Sequence, residues 1–125
     1  MKHCLVTFSA QVRVLVVILL SALPASAQYP GWQYSGALTI LTTPDGANLA
    51  AAASIEGFPV LVRLHKDWFD FKQAKVDGAD VRCSDGAGKA LAFQIEQWDA
   101  ARGEASVWVR VPRIEGNARQ TIRMH

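Results

Sequence analysis

The sequence has 125 residues, of which 13 are Lys or Arg and 11 are Asp or Glu, so its formal net charge is +2. This length is typical of one domain, and the small charge excludes nucleic acid or an anionic membrane surface as the main partner. The composition, 50% hydrophobic and 19% charged with two Cys, also excludes a disordered chain, a disulfide-rich scaffold and a four-cysteine zinc site.

Residues 1–27 have the features of a secretory signal peptide. Lys2 and Arg13 supply positive charge, and an unbroken apolar run follows at Val14–Leu20. Ala25–Ala27 then forms an A-x-A cleavage site. We therefore expect an exported protein, located in the periplasm, at the cell surface or outside the cell. The alternative is a retained N-terminal anchor, although the apolar run is much shorter than the roughly 20 residues that span a bilayer.

Cleavage would leave residues 28–125 as a single β-rich domain. Lys2 and Arg13 would leave with the signal segment, so 11 basic residues would remain against 11 acidic ones and the net charge would be 0. Cys83 would then be the one remaining Cys, so the domain must fold on its core without an internal disulfide. We expect Cys83 to be a small buried hydrophobe.

The rest of the chain is typical of short strands separated by Gly, Pro and Asp-Gly turns. Patterns rich in β-formers predict strands at 34–41, 60–64, 80–84, 91–99, 105–112 and 119–125. Residues 48–54 are predicted as a loop with at most one helical turn, and 66–74 as a compact turn that places aromatic side chains under a sheet. The predicted fold is all-β, either an antiparallel, jelly-roll-like β-sandwich or a partial barrel of about six to eight strands. The last pattern stops without a turn or cap, so we expect the domain to be truncated at its C-terminus.

The clearest predicted element is a hairpin over residues 91–112. A three-residue loop at Ala101–Gly103 predicts a register in which Ile95 faces Val109. Side chains at period 2 along single faces then define the core. The predicted core residues are Val60, Val62, Leu64, Phe93, Ile95, Val107, Val109 and Val111.

The other face of this predicted hairpin carries a candidate ligand site. In the predicted register, Trp98 and Trp108 share this face with Glu96 and Arg110. Flat aromatic faces beside polar groups bind sugars in many carbohydrate-binding modules, so this face is a candidate sugar platform. The interpretation that we favour is that the 42–59 loop or a neighbouring domain covers this face, because Trp is highly buried on average.

The sequence lacks the sets of residues that common enzymatic mechanisms require. Glycosidases need two carboxyl groups about 5 to 10 Å apart, and Glu96 and Glu104 lie at different heights of the hairpin. His65 and Cys83 alone make neither a catalytic triad nor a closed zinc site. We therefore expect no enzymatic activity and no cofactor.

Three aspartates are weak candidates for a calcium site. Asp77, Asp80 and Asp85 lie in one loop-rich segment, and calcium prefers oxygen ligands in loops. Their spacing lacks the regular pattern of a helix-loop-helix calcium site. The alternative is that they are turn residues, since Asp-Gly is common turn chemistry.

The order of the motifs resembles the bacterial family known as domain of unknown function 2341, over residues 32–125. The matching motifs are Phe58–Leu64, Phe69–Phe71, Asp77–Asp85, Ile95–Asp99 and Val107–Pro112. The resemblance implies an exported β-rich module, commonly followed by a laminin-G or concanavalin-like lectin domain and in some proteins by a biopolymer-transport proton-channel segment. No activity is established for the family, so no catalytic residue carries over. Two positions depart from the family, because Cys83 replaces a usual aromatic residue and the chain ends before the usual aromatic-Gly ending.

Two functions remain as hypotheses. The first is a non-catalytic extracytoplasmic module that supports or presents a binding function, with carbohydrate as the candidate ligand. The second is the periplasmic sensory or docking part of a proton-driven energy-transducing membrane complex. The expected partners are a carbohydrate and a downstream lectin-like domain of the same protein, without nucleic acid. Membrane contact is expected only through the signal segment or through downstream regions.

Overall fold

The computed structural model describes residues 29–125, so the predicted signal segment lies outside the described residues. The strands are β1 (Gly36–Leu41), β2 (Ser54–His65), β3 (Cys83–Asp85), β4 (Phe93–Asp99), β5 (Glu104–Glu115) and β6 (Arg119–Met124). A short 3-10 helix covers Phe71–Gln73. Within the described part of the chain, no helix is long and apolar enough to cross a membrane.

The strands form two three-stranded antiparallel sheets, in the orders β1-β6-β3 and β2-β5-β4. The all-β antiparallel fold class is therefore confirmed. Side chains from both sheets join one buried cluster, which is the arrangement of a two-layer sandwich and not of a partial barrel.

The core follows from the alternation of side chains along the central strand β5. Ala105, Val107, Val109 and Val111 are buried, while the residues between them are exposed or half-buried. Five predicted core residues are confirmed as buried, namely Val62, Leu64, Val107, Val109 and Val111. The other three, Val60, Phe93 and Ile95, are partly buried against this cluster. The opposite sheet contributes Cys83, Ile122 and Met124.

Strand β2 is longer than predicted, because Gly57 and Pro59 are breakers in the sequence but do not interrupt this edge strand. Pro59 pairs with Arg110, whose N–H donates to the Ala92 carbonyl on the far side, at 2.9 Å. The Pro59–Arg110 pair is therefore not a hydrogen-bonded one, and the missing N–H of Pro59 faces the free edge of β2. An edge strand accepts a proline in that position without losing a ladder bond.

A buried threonine fixes the turn that carries the chain from β5 in one sheet to β6 in the other. The Thr42 hydroxyl donates to the Glu115 carbonyl at 2.6 Å and accepts from the Ala118 N–H at 2.9 Å. Gly116 lies so close to the 42–53 loop that a Cβ there would be 1.9 Å from the Ala50 oxygen. The loop and the crossing turn therefore hold each other in place.

Candidate functional site

The loop of the β4–β5 hairpin has four residues, 100–103, and not the three that the sequence predicts. Asp99 pairs with Glu104 across its base. The Asp99 carboxylate accepts from the Arg102 N–H at 2.9 Å, and the Asp99 carbonyl accepts from the Gly103 N–H at 2.9 Å. Gly103 has a φ of 75°, which a glycine adopts without cost. These bonds stabilise the longer turn and so change the register.

A bulge in β4 changes which face carries Trp98. Ile95 pairs with Val107, so the predicted partner Val109 is wrong by two residues, and the register then shifts between Ile95 and Gln97. A slip of two residues keeps Ile95 on the core side, whereas a slip of one reverses the side-chain direction. Trp98 consequently pairs with the buried Ala105 and joins the core face. The prediction that it shares the outer face with Trp108 is wrong.

Trp98 is part of an aromatic cluster beneath the sheet. Its ring lies edge-on to Phe69 and Phe71, with ring centroids 6.1 and 5.3 Å away. Gly78 packs against the same ring, and a Cβ there would be 2.6 Å from it. The Trp98 Nε1 atom is buried and has no hydrogen-bond partner among residues 29–125. The compact turn predicted at 66–74 therefore places Phe69 and Phe71 under a sheet, whereas the prediction is wrong for Trp68, which is exposed.

Of the two tryptophans predicted for the outer face of the hairpin, Trp108 lies there. Trp108 is 36% exposed, so the described residues do not cover it, and its Nε1 donates to Glu96 Oε2 at 3.1 Å. Leu61 pairs with Trp108 on the neighbouring strand. The Arg110 guanidinium lies over Gly57, where a Cβ would be 3.1 Å from it. This face therefore offers a single aromatic ring, with its polar neighbours already in contact with the protein.

The three aspartates of the candidate calcium site make separate hydrogen bonds to the backbone. Each carboxylate accepts a hydrogen bond from a nearby backbone N–H, the typical behaviour of a turn residue. These bonds join Ala79 N to Asp77 at 3.0 Å, Lys75 N to Asp80 at 2.8 Å and Lys89 N to Asp85 at 2.8 Å. In the part of the chain that the structure describes, no three His, Cys, Asp or Glu side chains come together as a metal site would require.

A groove of about 640 Å³ lies where β1 begins and β2 and β6 end. One wall is formed by residues 31–38 and the other by the loop at 68–74, while the buried side chains of Leu64 and Met124 also line it. We call it the aromatic groove, because it contains three of the most exposed large aromatic side chains of the described residues. These are Trp32 (37% exposed), Tyr34 (53%) and Trp68 (55%).

The wall formed by the segment before β1 is anchored through Trp32. Its Nε1 donates to the backbone carbonyl of Asp80. The ring lies edge-on to Tyr29 at 5.4 Å, and the Arg82 guanidinium is 5.4 Å from the ring centroid. The contacts with Asp80 and Arg82 thus hold an irregular segment, which leaves part of the Trp32 ring and about half of Tyr34 exposed.

The opposite wall is a tight turn after β2. The N–H groups of Trp68 and Phe69 both donate to the His65 carbonyl, at 3.0 and 2.9 Å. Asp70 caps the following 3-10 helix by accepting from the Lys72 N–H at 3.0 Å. The turn directs Phe69 into the partly buried cluster and leaves Trp68 exposed in the groove.

The charged side chains of the groove are carboxylates. Asp70 and Asp80 line it, and no Lys or Arg of residues 29–125 does. His125 also lines it and lies 2.8 Å from the hydroxyl of Ser84, which is fully buried. Burial lowers the pKa of His125, and the charge of Arg123 lowers it further. The imidazole is therefore neutral at neutral pH, and the groove carries negative charge.

Sequence reasoning missed the groove as a site. Trp32 and Trp68 contribute to the high number of tryptophans in the sequence, but they lie in irregular segments 36 positions apart, so no period connects them. The only available signal was that these aromatic residues fall outside every predicted strand.

Cys83 behaves as predicted. It is 1% exposed in the core, and burial raises the pKa of its thiol to about 11. The thiol is therefore neither accessible nor ionised at neutral pH, so it is not a nucleophile.

Fold and sites together define a small all-β domain with a sandwich of two three-stranded sheets. Residues 77–125, which include β3 to β6, match the family model described as "Domain of unknown function (DUF2341)". The predicted resemblance is thereby confirmed over this segment, while the motifs at 58–64 and 69–71 lie outside it. No curated protein and no solved structure matches the chain.

Proposed function

We propose that this protein is a non-catalytic, extracytoplasmic β-sandwich module that supports or presents a binding function, and that its ligand is a carbohydrate. The observation that carries this proposal is the aromatic groove, with Trp32, Tyr34 and Trp68 exposed on a rigid two-sheet scaffold. Its volume of about 640 Å³ falls within the range of small-molecule binding clefts.

The chemistry of the groove matches the two kinds of surface on a sugar. The C–H faces of a pyranose ring pack on flat aromatic rings, which Tyr34 and Trp68 present to solvent. Its hydroxyl groups donate to carboxylates and exchange bonds with amides, and Asp70 and Gln73 lie in the same lining. A purely apolar ligand would leave these polar groups without partners.

The hydrogen bonds of Glu96 and His125 support a function in binding without catalysis. Among the described residues, Glu96 is bonded to Trp108. The hydroxyl that His125 contacts belongs to Ser84, which is fully buried, so this pair presents no nucleophile to a ligand in the groove. The extracytoplasmic part of the proposal depends on the signal segment predicted at 1–27. Mass spectrometry of the exported protein should find Gln28 at its N-terminus, and an intact Met1 in a membrane fraction would contradict cleavage.

The binding proposal is tested on a glycan array with the exported protein and two substitutions. We expect Trp68→Ala to lower affinity for the bound glycan about tenfold or more through the loss of stacking area. Trp108→Ala is the matched control, because it removes an exposed tryptophan on another surface and should leave affinity unchanged. No binding by the wild type, or cleavage of any glycan on the array, would contradict the proposal.

A further inference from the structure

We infer, resting on the proposed function, that the aromatic groove selects neutral sugars and rejects anionic ones such as uronic acids. The charges of the lining carry this inference. Asp70 and Asp80 are the ionised side chains in it, and no Lys or Arg of the described residues balances them there. His125, the histidine of the lining, is neutral at neutral pH because burial lowers its pKa.

Arg82 has the guanidinium that contacts a tryptophan of the groove, but it does not belong to the groove lining. Arg82 lies beside Trp32, but its Nη1 donates to the carbonyls of Ala79 and Val81 at 3.0 and 2.6 Å. These bonds use the two N–H groups of Nη1 on the backbone, and Arg82 is not part of the lining. An anionic ligand in the groove would therefore meet two carboxylates and no cationic side chain of the lining.

The two carboxylates keep acceptor capacity for hydroxyl groups. Asp70 and Asp80 each use Oδ1 to accept a backbone N–H, from Lys72 and Lys75 respectively, and no hydrogen bond within residues 29–125 uses Oδ2. A carboxylate accepts hydrogen bonds but does not donate them. A sugar hydroxyl supplies the needed donor, whereas the carboxylate of a uronic acid supplies only another acceptor and a like charge.

The shape of the groove favours a sugar over a compact cation. The aromatic contacts of the described residues do not join Trp32, Tyr34 and Trp68 to one another, so these rings line a groove and do not form a closed cage. The Trp32 ring already makes one cation–π contact, with the guanidinium of Arg82. A volume of about 640 Å³ accommodates a longer, amphipathic ligand.

The experiment measures equilibrium binding of the exported protein to immobilised polysaccharides in two matched pairs. The pairs are hydroxyethyl cellulose with carboxymethyl cellulose, and fully methyl-esterified pectin with de-esterified pectin. Within each pair the backbone is the same and the charge differs. We expect the neutral member of at least one pair to bind about tenfold more tightly than its anionic partner at low salt. This ratio should shrink at 0.5 M salt, where exposed charges are screened.

Two substitutions assign the selectivity to the groove. The double variant Asp70→Asn/Asp80→Asn keeps the Oδ1 acceptors for the backbone, so it should fold normally. We expect it to reduce the ratio of the affinities for the neutral and the anionic polysaccharide to about threefold or less. Glu96→Gln, on the hairpin face, is the control and should leave the ratio unchanged.

The possible failures separate the two proposals. Equal or tighter binding of the anionic member overturns the selectivity and leaves the carbohydrate function intact, as does an unchanged ratio in the aspartate double variant. Absence of binding to both members of both pairs, together with an unbound glycan array, overturns the proposed function itself. Tighter binding to choline-substituted beads than to any neutral polysaccharide would also overturn the inference, in favour of a cation.

Discussion

The outer face of the β4–β5 hairpin and the aromatic groove present tryptophan to solvent in different ways. The hairpin face lies on regular strands, and it carries one exposed ring, Trp108, whose indole is bonded to Glu96. The groove lies between irregular segments, and it carries three exposed rings whose surroundings include free carboxylate oxygens. The comparison teaches that regular strand positions are used for the core of this domain, whereas the groove that we propose as its binding site lies where the strands end.

The largest expected effect concerns the two tryptophans of the hairpin. Trp98→Ala should lower the free energy of unfolding by about 3 kcal/mol, because it empties a site packed against Phe69 and Phe71. Trp108→Ala should cost less than about 1 kcal/mol, since this ring is partly exposed. Urea unfolding of both variants checks the difference. Equal costs would show that the bulge in β4 and the resulting placement of Trp98 are wrong.

A smaller effect tests the contact between Gly78 and Trp98. Gly78→Ala should destabilise the protein by about 2 kcal/mol, because the new methyl group would meet the indole at 2.6 Å and φ is 70°. Gly88→Ala is the matched control, since φ is 87° there but nothing lies within 4 Å. We expect this control to cost only about 1 kcal/mol. Thermal unfolding that gives the same loss for both glycines would contradict the packing of Gly78 on Trp98.

A substitution in the aromatic groove should lower glycan affinity with little change in the free energy of unfolding. Trp68→Ala should change the free energy of unfolding by no more than about 0.5 kcal/mol, because the side chain is 55% exposed. The same variant should lose glycan affinity, as proposed above. Calorimetric unfolding measured beside the binding assay checks this. A Trp68→Ala protein that is strongly destabilised would place Trp68 in the core and remove it from the ligand surface.

The smallest expected effect depends on pH and on His125 in the groove. Its folded-state pKa lies below the ordinary value of 6.5, so the unfolded chain binds a proton more readily. Stability from this group is therefore complete above pH 6.5 and falls as the pH drops below that value. His125→Gln should reduce the loss of stability between pH 7 and pH 5.5, measured by urea unfolding. An identical pH dependence in both proteins would contradict the shift.

Sequence patterns could predict those parts of the fold that depend on strict alternation. Val107 and Val109 occupy alternate positions of β5, between Ser106, Trp108 and Arg110, so their burial follows from the period of a strand. The register of the hairpin could not be predicted in the same way, because it depends on Asp99 capping a four-residue loop and on a bulge at Glu96. A bulge leaves no periodic mark before the partner strand is known.

The residues of the candidate site were harder to predict from the sequence than the hairpin register, because they are brought together by tertiary structure. Glu96 and Trp108 were predicted to be neighbours and do form a hydrogen bond, since the bulge keeps both on the outer face. Trp32 and Trp68 come together only after the segment before β1 is pinned on Asp80 and Arg82. Neither contact has a local sequence signal, and so the groove becomes visible only in the folded chain.

The most direct test of the central claim uses the four indole N–H signals of the protein in a nitrogen-15 NMR titration, one for each Trp. The titrant is a neutral oligosaccharide from the polysaccharide that retains the protein. If the aromatic groove is the binding site, the signals of Trp32 and Trp68 shift in proportion to occupancy, while those of Trp98 and Trp108 stay in place. A shift confined to Trp108 would place binding on the hairpin face and contradict the account.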